Sequence, residues 1–162
     1  MKLSCFTLSG ILFAFLGLFG YANANETKIA YPKGYKQWPH IKSMVIEPGH
    51  PLENPFQGLH HVYGNSRALK GFKDGVFPDG SVLVFDLVQD KSEGKTIQEG
   101  QRKLVGVMQK DEKAFGKTGG WGFEGFKGNS QTERLVKDKG IGCFSCHESQ
   151  KNQNFVFSKP RK

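Results

Sequence analysis

Phe77-Pro78-Asp79-Gly80-Ser81-Val82-Leu83-Val84-Phe85-Asp86-Leu87-Val88 is the stretch on which the fold turns. Pro78-Asp79-Gly80 is a strong turn signal: proline presets φ, aspartate bonds its own backbone and glycine accepts positive φ. The β-branched and large apolar residues after it predict a strand over Ser81 to Val88. Side chains alternate across a strand. Leu83, Phe85 and Leu87 therefore share one face, and Val82, Val84 and Asp86 the other.

Working outward, Arg102 to Met108 reads as a second strand and Gly120 to Phe126 as a third. Gly58 to Tyr63 reads as a fourth and carries the pair His60-His61, of which only one can look into a given pocket. Lys42 to Ile46 reads as a further strand. The 21 glycines and 14 phenylalanines suit short strands joined by tight turns. Helices are expected to be short. Asn65 caps one running to about Phe72, and Asp111 caps another running to about Lys117. The capping box Ser130-Gln131-Thr132-Glu133 opens a third that ends at Gly140. The expected fold is α+β, an antiparallel sheet with a few short packed helices. No internal repeat or low-complexity segment interrupts it.

Directly after the last expected helix comes Cys143-Phe144-Ser145-Cys146-His147. Cys-x-x-Cys-His is the attachment pattern for a c-type haem, one group per chain: two thiols add to the vinyl groups, and the next residue offers an imidazole to the iron. A structural zinc site needs a second ligand pair. A thioredoxin-like motif needs a βαβ setting. A disulfide between the two cysteines would close a very small loop and leave His147 unexplained. The reading is a haem held by Cys143 and Cys146 with His147 as metal ligand, near the C-terminus. The sixth position on the iron separates carriers from binders. Met44, Met108, His40, His50, His60 and His61 are the available ligands, and both methionines read more simply as core.

The 162 residues suggest one domain. Residues 1–24 read as a signal peptide: Lys2, the apolar run Ile11 to Phe19, then Ala22-Asn23-Ala24. The apolar run is too short to span a bilayer, and Cys5 precedes it. This leaves residues 25–162 as a single haem-binding cytochrome domain, periplasmic or otherwise secreted, with no membrane contact after cleavage. The net charge of +8 favours acidic partners or anionic surfaces. The lysines are scattered and no recognition motif accompanies them, so nucleic acid is not expected as a partner.

Taken in order, Tyr31-Pro32-Lys33-Gly34-Tyr35 with Trp38, His60-His61-Val62-Tyr63, Phe77 to Val82, Gly120-Trp121-Gly122-Phe123 with Phe126, and Cys143 to His147 resemble the cytochrome P-460 and cytochrome c′-beta family. The resemblance implies a largely antiparallel sheet, a five-coordinate haem with an open distal side, and often a homodimer. One branch of that family cross-links a lysine to the haem and oxidises hydroxylamine. The position matching that lysine, counted from the Asp-Gly turn, is Phe85. The other branch caps the iron with phenylalanine and resembles a binder of nitric oxide or carbon monoxide, which Phe85 fits. His60 falls where the first branch keeps a polar distal residue, and a histidine there can hydrogen-bond a ligand or move a proton.

The expectation is a periplasmic monohaem cytochrome that binds a small gaseous ligand such as nitric oxide. Phe85 shields the iron, and Trp121, Phe123 and Phe126 contribute to the aromatic lining. Two alternatives stand beside it. One is an oxidoreductase acting on hydroxylamine or peroxide through His60. The other is a six-coordinate electron carrier serving a redox partner protein. Lys42, Lys70, Lys73 and Lys103 lie near candidate pocket segments and read as solvated surface.

Overall fold

A computed structural model describes residues 28–161, so the expected signal peptide lies outside the described residues. Five strands form one antiparallel sheet in chain order: β1 (His40–Ile46), β2 (Gly58–Gly64), β3 (Val82–Glu93), β4 (Thr96–Lys110) and β5 (Trp121–Lys127). Three short helices accompany them: α1 (Glu53–Phe56), α2 (Ser66–Asp74) and α3 (Ile141–His147). Antiparallel neighbours need only short connections, and this sheet follows the chain throughout. All five expected strands are present.

The turn before β3 is built as its residues dictate. Gly80 has φ 80°, and the Ser81 hydroxyl donates to the Pro78 carbonyl at 2.6 Å. Asn65 Oδ1 accepts from Ala68 N, opening α2, and from Val82 N, anchoring β3. One side chain thus joins the expected helix to the expected strand. β3 and β4 run further than expected because a hairpin joins them. Gly94 and Lys95 both have positive φ, 55° and 65°, as a two-residue turn matched to strand twist requires.

Two expected helices are absent. Ser130 Oγ does accept from Thr132 N and Glu133 N, as a cap should. The chain then runs extended, because the free edge of β5 competes for it. Arg134 bridges to Phe126, Leu135 N donates to Gly125 O, and the Arg134 guanidinium reaches Glu124 at 2.5 Å and the Ile29 carbonyl at 2.9 Å. Tertiary pairing overrides the local cap. Asp111 likewise accepts from Ala114 N, but one turn and a 3-10 segment at Gly116–Thr118 follow in place of an α-helix. There Phe115 folds back onto Gly122, where an added Cβ would lie 2.4 Å from the ring. The cysteines, expected after the last helix, lie inside it.

The sheet separates two cores. On one face Val84, Val105, Val107 and Phe126 pack under Ile29 and Tyr35 from the segment before β1. On the other, Leu83, Trp121 and Phe123 pack with Ala68, Phe77 and Val156. The alternation expected for β3 holds, with Leu83 and Val84 in different cores. Met44, expected in the core, stands 46% exposed. No helix among the described residues is long and apolar enough to cross a membrane.

Candidate cofactor site

Asp138 starts the helix that carries the motif. Its carboxylate accepts from Gly140 N at 3.0 Å and from Gly142 N at 2.7 Å, the amides a helix start leaves unpaired. Residues three and four apart share a helix face. Cys143, Cys146 and His147 therefore form one stripe along α3. The two thiols are free of any disulfide. Burial, followed by the Asp138 charge, pushes the Cys143 thiol up and keeps it protonated.

His147 Nδ1 lies 2.7 Å from the Phe155 carbonyl oxygen. A carbonyl only accepts, so Nδ1 carries the proton and Nε2 is left with its lone pair. This backbone contact is how metal-ligating imidazoles are commonly oriented. Burial lowers the imidazole's pKa, against the raising effect of that hydrogen bond, which favours the neutral ring. The ring packs between Phe123 at 4.9 Å and Phe157 at 5.0 Å. Among the described residues no group of three or more His, Cys, Asp or Glu side chains is placed to hold a metal ion. A structural zinc site would need such further ligands beside the motif.

Beside α3 the sheet presents an apolar strip. Val62 pairs with Phe85, Phe85 with Gly106, and Gly106 with Gly125, so one row crosses four strands on the Leu83 face. Central strands of a sheet are normally covered, and Val105 and Val107 of β4 are buried on the opposite face. On the Leu83 face, Phe85, Leu104, Gly106 and Met108 are only half-buried. Gly106 puts no side chain on this floor, whereas Gly125 is buried beneath the Leu135 side chain. A Cβ at Gly106 would stand 3.4 Å from that of Phe85, and one at Gly125 would stand 3.3 Å from that of Leu135. Phe123 and Phe85 are two strands and one residue pair apart, about 12 Å between Cα atoms at ordinary spacings. The strip thus runs from the imidazole of His147 at one end to Phe85 at the other. A flat apolar group fits a floor of this kind.

His60 lies beyond Phe85. It is 5% exposed, and its ring stacks on Phe85 at 4.5 Å. Its Nδ1 is buried with no hydrogen-bond partner among the described residues, and a buried polar atom left so calls for an explanation. Burial first, then the charges of His61 and Lys42, lowers its pKa to about 4, so it is neutral near pH 7. His61 points to the opposite face, with Nε2 2.9 Å from Glu99 Oε1 and Nδ1 2.6 Å from Ser43 Oγ. The pair divides as strand alternation requires.

Two of the expected lining residues, Trp121 and Phe126, are both 0% exposed. Trp121 is locked beneath, with Nε1 donating to the Asn154 carbonyl at 2.9 Å and its ring on Phe77. Phe126 has the opposite parity on β5 and packs against Tyr31 in the other core. Phe123 alone of the three meets the imidazole. Lys103 is not solvated as expected: it is half-buried and donates to the Gln57 carbonyl at 2.7 Å. Gly106 and Asp138 were not expected here. An isolated glycine inside a strand pattern is the available signal for a close approach of another group.

Asp138 gives the motif helix an acid limit. Hydrogen bonds from Gly142 first, then Gly140, hold its carboxyl below its ordinary value of 3.8. A depressed carboxyl stabilises the fold above its unfolded pKa, and that contribution is lost as pH falls through the folded one. The Gly142 amide resonance should therefore titrate below pH 3.8. In Asp138→Asn, which keeps one acceptor and does not titrate, that step should vanish. A Gly142 amide indifferent to acid in the native chain would refute the cap.

A family model for cytochrome P460 matches residues 32–158, which take in every strand, α3 and most of the tail. No curated protein matches the chain.

Proposed function

Because the chain belongs to the cytochrome P460 family, we propose that it is a monohaem c-type cytochrome with an open ligand side, and that it binds a small diatomic such as nitric oxide. Membership of that family makes it a haem protein. The observation that carries the finer reading is the half-open strip of Phe85, Leu104, Gly106 and Met108 in the middle of an otherwise covered sheet, beside the Cys143, Cys146 and His147 stripe. In this reading the two thiols would tether the haem and His147 Nε2 would hold its iron. The bound iron would supply the affinity for a diatomic.

The chain's own residues then set the selection. Phe85 shields the ligand side, as do Phe56, 5.8 Å away, and Leu104. Such a wall excludes bulk and penalises charge, because a buried charge without a partner is costly. Phe85→Ala should speed association of nitric oxide and admit azide. An effect of about tenfold corresponds to ~1.4 kcal/mol of barrier. Association rates by flash photolysis equal to those of the native protein would remove Phe85 from this role.

His60 favours a second reading, chemistry on peroxide or hydroxylamine in which its free Nδ1 exchanges a proton with the substrate. His60→Leu separates the two. Loss of peroxide or hydroxylamine turnover with nitric oxide affinity unchanged favours the oxidoreductase; no turnover by the native protein excludes it. The signal-like start, residues 1–24, supports export to the periplasm. Pairing into a homodimer rests on the family likeness.

A further inference from the structure

On the sheet face opposite the haem strip lies a polar cluster that the proposed function does not use. Tyr35 is 3% exposed, and its hydroxyl donates to Asp86 Oδ2 at 2.7 Å. Asp86, also 3% exposed, receives Arg102 Nε on Oδ1 at 2.6 Å and Arg102 Nη2 on Oδ2 at 3.2 Å. Arg102 in turn donates to Asn129 Oδ1 at 2.5 Å. Tyr35 is also the middle of an aromatic chain. Its ring meets Tyr31 edge-on at 6.2 Å and Tyr63 at 5.6 Å. Tyr31 is half-buried and, with Lys33 and Lys36, lines an open surface cleft.

We propose that Tyr35, hydrogen-bonded to Asp86, is a proton-coupled one-electron redox site, and that Tyr31 connects it to reductants at the surface. A phenol is hard to oxidise while it keeps its proton. Burial first, and then Asp86, pushes the ionisation of Tyr35 far up, so it does not lose that proton beforehand. The proton and the electron must leave together. The Tyr35 O–H bond breaks, and the proton passes along the existing 2.7 Å hydrogen bond to Asp86 Oδ2. The electron goes to a one-electron oxidant, which is reduced by one. The products are a neutral tyrosyl radical and a neutral Asp86 carboxyl. A reductant at the Tyr31 cleft returns the electron, and Asp86 returns the proton.

Phe85 and Asp86 are consecutive in β3 and point to opposite faces, so only the sheet separates this pair from the haem strip. The oxidant would then be an oxidising equivalent left at the haem site by peroxide, and this source rests on the functional reading above.

The test is photochemical oxidation of the purified holoprotein by a ruthenium sensitiser in solution, read by electron paramagnetic resonance, with peroxide-induced haem bleaching as a second arm. The native chain should give a tyrosyl radical that forms more slowly in deuterium oxide. Tyr35→Phe keeps the ring and its packing but has no phenol, and should remove most of the signal. It should also hasten bleaching. Tyr63→Phe should leave the radical in place. A full-sized radical in Tyr35→Phe, or no slowing in deuterium oxide, overturns the proposal. Unchanged bleaching overturns the haem site as the source. A purified chain without haem would fail the functional reading while leaving the photochemical arm intact.

Discussion

Denaturing the native protein in acidified acetone should leave its haem on the polypeptide, and the double variant Cys143→Ala/Cys146→Ala should release all of it. The expected loss is complete because the proposed tether is covalent: no packing energy would substitute for a thioether once the fold is gone. The argument is geometric. α3 puts Cys143 and Cys146 one turn apart on one stripe. Neither thiol is spent on a disulfide. Each single variant should keep a weaker, one-link attachment, and its reduced absorption band should move toward that of a haem with one vinyl group intact. Haem that stayed bound through denaturation in the double variant would mean another anchor and would break the assignment. His147→Ala should behave differently, keeping both links while losing the axial nitrogen, so its change should be in the spectrum and not in the extraction.

Asp86→Asn should cost about 3–5 kcal/mol, the usual effect of removing one member of a buried ion pair and stranding the other. In a domain of this size that is a fall in Tm of roughly 10–20 °C. Arg102 Nε would keep a neutral acceptor in place of a carboxylate, and its side chain is only 14% exposed. Tyr35→Phe should cost less, about 1.5–3 kcal/mol, since it removes one hydrogen bond to a charged group and leaves the ion pair whole. The order of the two decides the point. If Tyr35→Phe were the more damaging, ring packing and not charge would hold this face together. Chemical denaturation of the two variants measures it.

Much of the fold is legible in short stretches. Pro78-Asp79-Gly80 and the apolar run after it place β3, and the alternation puts Leu83 and Val84 on opposite faces, each of which the structure covers with its own core. Asn65 reads correctly as a helix cap. The misreadings share one cause. Ser130 and Asp111 make the local hydrogen bonds expected of caps, but a cap opens a helix only if nothing nearby offers the backbone better partners. For residues 133–135 the edge of β5 does. For the segment after Asp111, the glycine at 122 makes a seat for Phe115. Both competitors are close in the chain but belong to β5, a separate element whose edge and glycine a local cap signal does not register.

The site divides in the same way. Cys143, Cys146 and His147 declare themselves by spacing; strand parity says only that one of His60 and His61 faces a given pocket and that Phe85 shares the face of Leu83 and Leu87, and the family resemblance supplies the choice of His60 and the role of Phe85. Trp121 and Phe126 could not be sorted from Phe123 by residue type, since all three are aromatic and lie on one strand. Parity separates Phe126, and depth beneath Phe77 separates Trp121. The glycine of the floor is written in Val105-Gly106-Val107. Its meaning depends on Gly106 pairing with Phe85 and Gly125 across the sheet, a register no single strand contains.

The most direct test of an open haem held by His147 is the absorption spectrum of the purified protein, oxidised and reduced, with and without nitric oxide. The account predicts a high-spin ferrous haem with an ordinary c-type Soret band that shifts when nitric oxide is added. A low-spin spectrum indifferent to nitric oxide would contradict it and make the protein an electron carrier with both axial positions filled.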